Sequence, residues 1–565
     1  MKLNLFLSLL NSFNIKHKYL IFLSFFLMIV NYLTEIISIA LIIPLIYFFF
    51  NSSSNLEYNN NVLIDNLKNI FYSFSFSEII TMFVVVMVFK NIYNIFFQYF
   101  ILRLSVSIRN YLVTSVYKKY LNQDISYFDK NNSSFFLRNI GEIQNISIII
   151  YNYLNLFFEI LIFLTLIIFL FALSFKITFF FCLLFSILIL LINKYSKKTL
   201  FDIAKKNLIF QERINRVILE NISNIKIIKS AEKENYFTKI FKILDYKIST
   251  NNLRSDIVTQ LPRAIIEITV ILILSLIAIV SYNETMDQSL FVASISFFMA
   301  IILRLMPSST RIIAAIQRIK IFEPSLRIIL KSNNLKQFNK REIKRKKIKF
   351  SSLSIKKLTF SYNKKIIFDN LNFEIKKNQV IGIIGANGSG KTTLVNLIMG
   401  LINNYKGEIK YNDKDLNSVI PNFSYMPQNI NLIDDSIKKN ILFSSNKKIF
   451  SNKNYKKAIN LANLKDFIDR LPKGDNTRVG EKGSRVSGGE LQKIGIARCI
   501  YNDSDILIFD EFDNNLDVNT RNNILKSFTK LKKEKIIILI SHQDNINLYC
   551  DSIYKIKLKK LNKIK

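Results

Sequence analysis

Residues 385–392 read Gly385-Ala386-Asn387-Gly388-Ser389-Gly390-Lys391-Thr392, a glycine-rich loop that ends in a lysine and a threonine. An apolar run precedes this loop and a helix-like segment follows it, so the sequence predicts a strand, a loop and a helix. Glycines let successive backbone N–H groups point at phosphate oxygens, while Lys391 reaches the terminal phosphates and Thr392 faces Mg²⁺. A chance glycine-rich turn would not have these flanks. We therefore predict that ATP and Mg²⁺ are bound by Gly385, Asn387, Gly388, Ser389, Gly390, Lys391, Thr392 and Thr393.

Two later apolar runs end in residues suited to ATP hydrolysis. Residues 506–509 lead to Asp510 and Glu511, and residues 536–540 lead towards His542. Ligands gather at the carboxyl ends of parallel strands, so these side chains are expected beside the phosphate loop. Asp510 is predicted to hold Mg²⁺, Glu511 to polarise the attacking water, and His542 to reach the terminal phosphate. A solvated acidic turn and a structural histidine are the competing interpretations.

The first 330 residues consist mostly of long apolar runs, several of them longer than the roughly 20 residues that a membrane-spanning helix needs. They predict a multi-domain chain with a six-helix transmembrane domain over 1–330, a basic linker over 331–350 and an α/β nucleotide-binding domain over 351–565. The helices are expected to extend beyond the bilayer. The six spans are expected at about 19–50, 77–103, 140–172, 177–195, 256–282 and 289–320.

Basic residues predict the orientation of these spans. They concentrate in the connections 104–138 and 194–255, whereas 51–76 holds Lys68 alone. By the positive-inside rule the two basic connections are cytoplasmic, and so are both termini and the nucleotide-binding domain. No small-residue cleavage site follows the first lysines, so the start is predicted to be an uncleaved anchor in a bacterial inner membrane.

Neither a nucleic-acid partner nor a cysteine-bound metal is indicated by the composition. The formal net charge is +37, but lysine accompanies abundant asparagine, isoleucine and phenylalanine throughout the chain. No nucleic-acid-binding motif accompanies that charge, so no nucleic-acid partner is expected. Cys182, Cys499 and Cys550 are isolated and lack the spacing of metal ligands.

Residues 350–560 resemble the nucleotide-binding domain of an ATP-binding-cassette (ABC) transporter. The phosphate loop, the Asp-Glu pair and the run Val486-Ser487-Gly488-Gly489-Glu490 together carry the resemblance. It implies that Ser487, Gly488 and Gly489 close over the terminal phosphate of a nucleotide held by a second subunit. The family usually has Leu and Gln where this chain has Val486 and Glu490, and the three phosphate-facing residues between them are kept.

The resemblance implies further roles for three residues outside the signature. Tyr362 would stack on adenine, Gln428 would contact Mg²⁺ and sense the membrane domain, and Glu481 would lie in a loop specific to exporters. By itself, Tyr362 is equally compatible with a strand aromatic that packs a core. After Glu511 the chain reads Phe-Asp-Asn-Asn-Leu-Asp over 512–517, where the family commonly has small residues before Leu-Asp. That departure bears on the coupling between the two sites of a dimer.

Six spans followed by one ATPase domain resemble an exporter half-transporter. A complete site needs the signature of one subunit against the phosphate loop of another, so the simplest assembly is a homodimer, with a heterodimer as the alternative. Residues 126–129 and 224–229 fall where the family places two coupling helices. Ordinary helix-turn packing is the other interpretation of these two segments.

Charged residues inside membrane spans are costly and usually face the interior of the bundle. They therefore indicate which residues could contact the substrate. Arg304 and Arg311 lie seven residues apart, roughly 10 Å along one helix face, and could grip an anionic head group. Alternatively, Arg311 lies at the cytoplasmic end and reaches water, and Arg263 pairs with Glu267 one turn away. The charged candidates within the spans are Glu35, Lys90, Glu159, Arg263, Glu267, Arg304 and Arg311.

Segments 303–313 and 428–437 resemble the bacterial flippases for lipid-linked oligosaccharides of protein N-glycosylation. This resemblance implies a polyprenyl-pyrophosphate glycan as substrate, moved to the outer leaflet, with arginines such as Arg304 and Arg311 meeting its pyrophosphate. Segment 63–74 is expected to lie along the membrane surface or to cap the bundle. A multidrug, lipid or peptide exporter is the alternative, followed by a nucleotide-gated channel or regulator.

Overall fold

The computed structural model describes residues 8, 10–11, 13–41, 74–173, 175–283, 288–333, 352–362, 365–415, 422–443, 450–541 and 547–565. The chain divides into two compact units, one of residues 1–123 and 128–337, the other of residues 338–565 together with Asp124–Tyr127. Segment 63–73, the linker from 334 to 350 and His542 lie outside the described residues, and so does the end of the first predicted span, 42–50.

Long helices form the first unit, because a helix satisfies its backbone polar groups internally while its Leu, Ile and Phe side chains face apolar surroundings. Helices α1, α2, α5, α6, α8 and α9 correspond to the six predicted spans. The helices of residues 15–333 are α1 (Ile15–Ala40), α2 (Phe76–Leu121), α3 (Ile125–Lys130), α4 (Ser133–Gln144), α5 (Ile146–Leu173), α6 (Phe175–Ser223), α7 (Ile225–Ser230), α8 (Glu234–Asn283), α9 (Gln288–Ile321) and α10 (Glu323–Asn333).

The helices are longer than a bilayer requires, as predicted, since α6 has 49 residues and α8 has 50. The third predicted span, about 140–172, falls on the end of α4 and on α5, which meet at Asn145. The N–H of Asn145 bonds to the carbonyl of Glu142, three residues back, which tightens the turn there. Within the described residues, three stretches meet the length and hydropathy of a span: Ile15–Ser38, Phe76–Leu121 and Ser133–Ile168.

A buried ion pair joins the first two long helices. Helix α1 packs along α2, α5 against α9, and α6 against α8. Between α1 and α2, Lys90 Nζ lies 2.7 Å from Glu35 Oε2 and also donates to Ser38 Oγ at 3.2 Å. Both charged side chains are buried. Each charge therefore depends on the other in an apolar surrounding.

Two sheets form the second unit. The six-stranded sheet has the order β10-β9-β3-β8-β7-β6, in which all neighbours are parallel except β10 and β9. The four-stranded antiparallel sheet has the order β2-β1-β4-β5. The strands are β1 (Ser352–Tyr362), β2 (Lys365–Lys376), β3 (Val380–Gly385), β4 (Lys406–Tyr411), β5 (Lys414–Asp415), β6 (Phe423–Met426), β7 (Ile506–Asp510), β8 (Ile536–Ser541), β9 (Ser552–Lys557) and β10 (Lys560–Lys563).

Helices cover the six-stranded sheet, which explains why β3, β7 and β8 are continuous apolar runs rather than alternating ones. Helix α11 follows the phosphate loop, as the sequence predicts. One apolar cluster lies between the two sheets and another beneath the remaining helices. The helices are α11 (Lys391–Ile398), α12 (Ile437–Leu442), α13 (Asn452–Leu461), α14 (Lys465–Asp469), α15 (Gly488–Tyr501) and α16 (Val518–Leu531).

We expect Lys90→Met to lower the apparent Tm of the full chain in lipid nanodiscs. It leaves the Glu35 carboxylate buried without its cation, and breaking a buried ion pair costs about 3–5 kcal/mol. The double variant K90M/E35Q removes both charges and should recover much of the loss. Equal Tm values for the single and double variants, measured by dye-monitored thermal unfolding, would contradict this account.

Candidate nucleotide site

The loop between β3 and α11 has the geometry of a phosphate cradle. Gly390 has φ of +105°, and a Cβ at this position would lie 2.8 Å from Ile367 Cγ2, so only glycine fits. A Cβ on Gly385 would lie 2.7 Å from Ser389 Oγ and 3.2 Å from the carbonyl oxygen of Ile556. The backbone can therefore approach a ligand closely at the points where the sequence predicts phosphate.

The Lys391 side chain bonds back to the backbone of this loop. Its Nζ donates to the carbonyl oxygens of Gly385 at 2.8 Å and Ala386 at 3.2 Å, and the residue is 7% exposed. Burial lowers the pKa of Lys391, and the carboxylates of Glu511 and Asp510 oppose that effect. The ammonium group is thus held next to both carboxylates by the carbonyls of its own loop.

Asp510 ends β7 and is joined to both neighbouring elements. Thr392 Oγ1 donates to Asp510 Oδ2 at 3.3 Å, and the hydroxyl of Tyr425, from β6, donates to the same oxygen at 3.1 Å. Burial raises the pKa of Asp510, and the nearby Glu511 adds to this, whereas the bond from Tyr425 opposes it. Burial and the Asp510 carboxylate together raise the pKa of Tyr425, which keeps its hydroxyl a donor. No sequence pattern marked Tyr425 as a partner of Asp510, although it stands three residues before Gln428.

Glu511 follows Asp510 with φ of +49°, an uncommon conformation for a residue with a side chain. Its backbone N–H donates to the carbonyl of Ile540 at 2.9 Å. Its carboxylate oxygen Oε2 accepts from Gln428 Nε2 at 2.5 Å and from Asn514 Nδ2 at 2.9 Å. The structure thus brings Gln428 to Glu511, two sequence-predicted residues 83 positions apart. The sequence marked segment 512–517 as a departure from the family pattern, but it did not indicate a partner for Asn514.

These residues fit a nucleotide with Mg²⁺. Ser389 Oγ is buried and has no hydrogen-bond partner among the described residues, as a hydroxyl awaiting a phosphate oxygen would be. The described residues contain no group of three or more His, Cys, Asp or Glu that could hold a metal by itself. Thr392, Gln428 and Asp510 supply hydroxyl, amide and one carboxylate, and Mg²⁺ bound with substrate phosphates uses few protein carboxylates.

The signature begins helix α15. Ser487 is its N-cap: Ser487 Oγ accepts from the N–H of Glu490 at 3.3 Å, and Glu490 Oε2 accepts from the N–H of Ser487 at 2.8 Å. This reciprocal capping box shows that Glu can stand where the family usually has Gln, since either side chain supplies the oxygen that accepts from the Ser487 N–H. Gly488 and Gly489 follow with their N–H groups in the first turn of the helix.

The structure places the remaining predicted residues as follows. Tyr362 ends β1, is 37% exposed and packs edge-on against Phe360 with ring centroids 4.8 Å apart, so it both packs locally and presents a surface. Glu481 is exposed and begins the short helix Glu481–Gly483. Asn387 and Thr393 lie in the loop and the first turn of α11.

The predicted substrate arginines lie in the other unit. Arg263 Nε is 2.9 Å from Glu267 Oε1, the pairing that their spacing favoured. Arg311 Nε is 2.5 Å from Glu159 Oε1; the Arg311 side chain is 51% exposed and that of Glu159 is 9% exposed. The sequence marked both charges but not their pairing, because they lie on different helices. The side chain of Arg304 lies outside the described part of α9.

We expect Tyr425→Phe to weaken Mg²⁺-dependent nucleotide binding while binding without Mg²⁺ stays unchanged. Losing a hydrogen bond to a metal-ligating carboxylate typically costs about 10–100-fold in metal affinity. Titration of the full chain with a fluorescent ATP analogue, at several Mg²⁺ concentrations, measures both. Tyr455→Phe, which removes a hydroxyl bonded to Asp475 elsewhere in the unit, is the control. Equal Mg²⁺ dependence in the two variants would contradict the role given to Tyr425.

Comparison with known proteins agrees with this geometry. Residues 368–514 match the ABC transporter nucleotide-binding family, and residues 21–307 match the ABC transporter transmembrane region. A Rickettsia bellii chain named as an export ATP-binding/permease protein is 28% identical over 475 residues, 80% of each chain. An ATP-dependent lipid A-core flippase of Francisella tularensis is 29% identical over 338 residues, 58% of this chain and 54% of that relative.

A solved structure has the same fold over nearly the whole chain. The structure of a bacterial Atm1-family ABC exporter with ATP bound superposes with a TM-score of 0.79 at 18% identity, covering 96% of this chain and 94% of that one. A helical transmembrane domain followed by an α/β nucleotide-binding domain is therefore confirmed. The chain belongs to the ABC transporter family, as a multi-pass half-transporter of the exporter type that couples ATP hydrolysis to transport.

Proposed function

We propose that this chain is an ATP-driven flippase that moves a lipid-linked oligosaccharide, a polyprenyl-pyrophosphate glycan, across a bacterial inner membrane. The observation that carries the proposal is the Arg311–Glu159 pair within the helical unit. Glu159 is 9% exposed and holds the guanidinium from one side, while half of the Arg311 side chain is exposed. A planar, permanently charged donor fixed in this way suits a phosphate group that approaches from its open side. The match to a lipid A-core flippase supports a phosphorylated glycolipid as the class of substrate.

Arg304 and Arg263 are the weaker members of the proposed substrate site. Arg304 lies seven residues before Arg311 on α9, about 10 Å along the helix axis. Arg263 already pairs with Glu267 at 2.9 Å, and both of these side chains are exposed. Arg311 is therefore the residue on which the substrate assignment depends.

The proposed assembly is a homodimer with both nucleotide-binding domains and both termini in the cytoplasm. Ser487, Gly488 and Gly489 lie at the start of α15, whose N-terminal N–H groups favour an anion. In the dimer they would face the phosphate loop of the second copy. Tyr362 would stack on adenine through its exposed surface.

The proposed hydrolysis uses groups that the structure brings together. Bound Mg²⁺ would neutralise phosphate charge and orient the phosphates. Lys391 and the glycine-rich loop would bind the phosphate oxygens, and Thr392, Asp510 and Gln428 would hold the metal. Glu511 orients the attacking water and accepts its proton. His542, beyond the described residues, would contact the terminal phosphate.

Glu511→Gln tests whether turnover drives transfer. We expect ATPase activity to fall by at least about 100-fold, because a general base contributes roughly 10²–10⁴-fold, and net glycolipid transfer to stop with it. ATP binding should persist. A nucleotide-gated channel would instead still pass substrate down its gradient when the variant binds ATP, which transfer measurements in proteoliposomes distinguish.

A second set of variants tests the substrate site. Proteoliposomes containing a labelled polyprenyl-pyrophosphate glycan should show transfer that falls about 10-fold or more in R311A, because lost charge-assisted bonds cost more than about 1.4 kcal/mol. R311A also leaves Glu159 unpaired, so R311A/E159Q is the matched control that removes both charges. We expect transfer to stay low in that double variant.

The outcomes separate the competing substrates. Wild-type transfer by R311A/E159Q would contradict the arginine assignment. Transfer of a lipid A-core analogue but not of the polyprenyl-linked glycan would identify a different phosphorylated glycolipid. Stimulation of the ATPase by hydrophobic drugs or peptides, with no response to either glycolipid, would favour a multidrug or peptide exporter.

A further inference from the structure

The segment between Glu511 and helix α16 is fixed at both ends and exposed in the middle. Phe512 is fully buried, with its ring 5.4 Å from Phe528 and 6.2 Å from Phe509. At the other end, Asp517 Oδ1 accepts from the N–H of Thr520 at 2.8 Å and caps α16. Between these anchors the chain has two exposed asparagines where the family commonly has small residues. The loop is therefore held in place while its two amide side chains are available for contacts.

One of these amides contacts the catalytic carboxylate. Asn514 Nδ2 donates to Glu511 Oε2 at 2.9 Å, the same oxygen that accepts from Gln428 at 2.5 Å. A serine or alanine side chain at position 514 could not span this distance with an N–H donor. The longer side chain that departs from the family pattern thus has a definite partner.

The second amide belongs to the residue that packs on the signature. A Cβ on Gly489 would lie 3.0 Å from the carbonyl oxygen of Asn515, and a Cβ on Gly488 would lie 3.4 Å from Asn515 Cβ. The loop therefore rests on the first turn of α15. Its contact with the signature glycines fixes the position from which Asn514 reaches Glu511.

We propose that Asn514 is a positioning residue. It holds the Glu511 carboxylate in the orientation in which Glu511 activates the attacking water. This inference rests on the proposed roles of Glu511 as general base and of Gln428 as a ligand of Mg²⁺. Gln428 would coordinate the metal through its amide oxygen, so Gln428 Nε2 and Asn514 Nδ2 remain two donors to Glu511 Oε2. Asn514 directs this oxygen from the loop between Glu511 and α16, and so independently of Gln428.

Turnover by the full chain in lipid nanodiscs gives the first test. We expect Asn514→Ala to lower kcat about 10-fold, since small misplacements of a catalytic group reach about 10²-fold. The KM for ATP and the affinity for a fluorescent ATP analogue without Mg²⁺ should stay within about twofold, because nucleotide binding does not use Asn514. Asn519→Ala, an exposed asparagine just beyond the loop, is the matched control.

Hydrogen–deuterium exchange of the nucleotide-free chain gives a test that does not depend on turnover. N514D puts a carboxylate beside Glu511, so repulsion should increase exchange in segment 511–517. In E511Q/N514D the amide introduced at position 511 can donate to the carboxylate introduced at position 514, and protection should return. If N514D increased exchange equally in both backgrounds, Asn514 would have a merely structural role and the proposal would fail.

The two proposals fail in different ways. If E511Q keeps near-normal turnover, the proposed role of Glu511 is wrong. If E511Q stops turnover while N514A matches N519A in kcat, the positioning role of Asn514 alone is overturned.

Discussion

The parallel register of β3, β8 and β7 is the constraint on which the rest of the nucleotide site depends. Ile384 lies opposite Ser541, and Asp510 lies opposite Ile540, so the three strands end at one level. Their interiors are apolar and covered on both faces, and polar side chains can emerge only where the strands stop. Lys391, Asp510 and Glu511 are close together because they lie at the carboxyl ends of β3 and β7, the two strands that flank β8. The aromatic contact of Phe509 with Phe528, 4.5 Å between ring centroids, holds the end of β7 against α16.

Neutral polar groups of the protein bond to each charged side chain of this site. The ammonium of Lys391 bonds to two carbonyls of its own loop, Asp510 accepts from Thr392 and Tyr425, and Glu511 accepts from two amides. Leaving buried charges without hydrogen bonds would cost several kcal/mol each, so these bonds stabilise the site. Nucleotide binding would exchange these bonds for bonds to phosphate and Mg²⁺. Ser389 Oγ has no hydrogen-bond partner among the described residues, so a bond from this hydroxyl to a phosphate oxygen would replace no existing bond there.

In the helical unit, buried charged side chains are paired with opposite charges in an apolar environment. Glu35 pairs with Lys90 between α1 and α2, and Glu159 pairs with Arg311 between α5 and α9. These four charges sum to zero, which fits the high cost of net charge in an apolar interior. The pairs differ in access, since both members of the first are buried whereas Arg311 is half exposed. The Arg311–Glu159 pair is thus the one of the two whose cation keeps an open side.

The sequence by itself determined which elements carry the chemistry. The glycine loop, the apolar runs before Asp510 and His542, and the long apolar helices each have a local pattern with a direct physical cause, and the fold class follows from their order. Only the tertiary structure decided which side chains meet. Tyr425 with Asp510, Asn514 with Glu511 and Arg311 with Glu159 depend on strand register, loop anchoring and helix rotation. Local propensity fixes the elements, whereas contacts between residues far apart in the chain are set by how those elements pack.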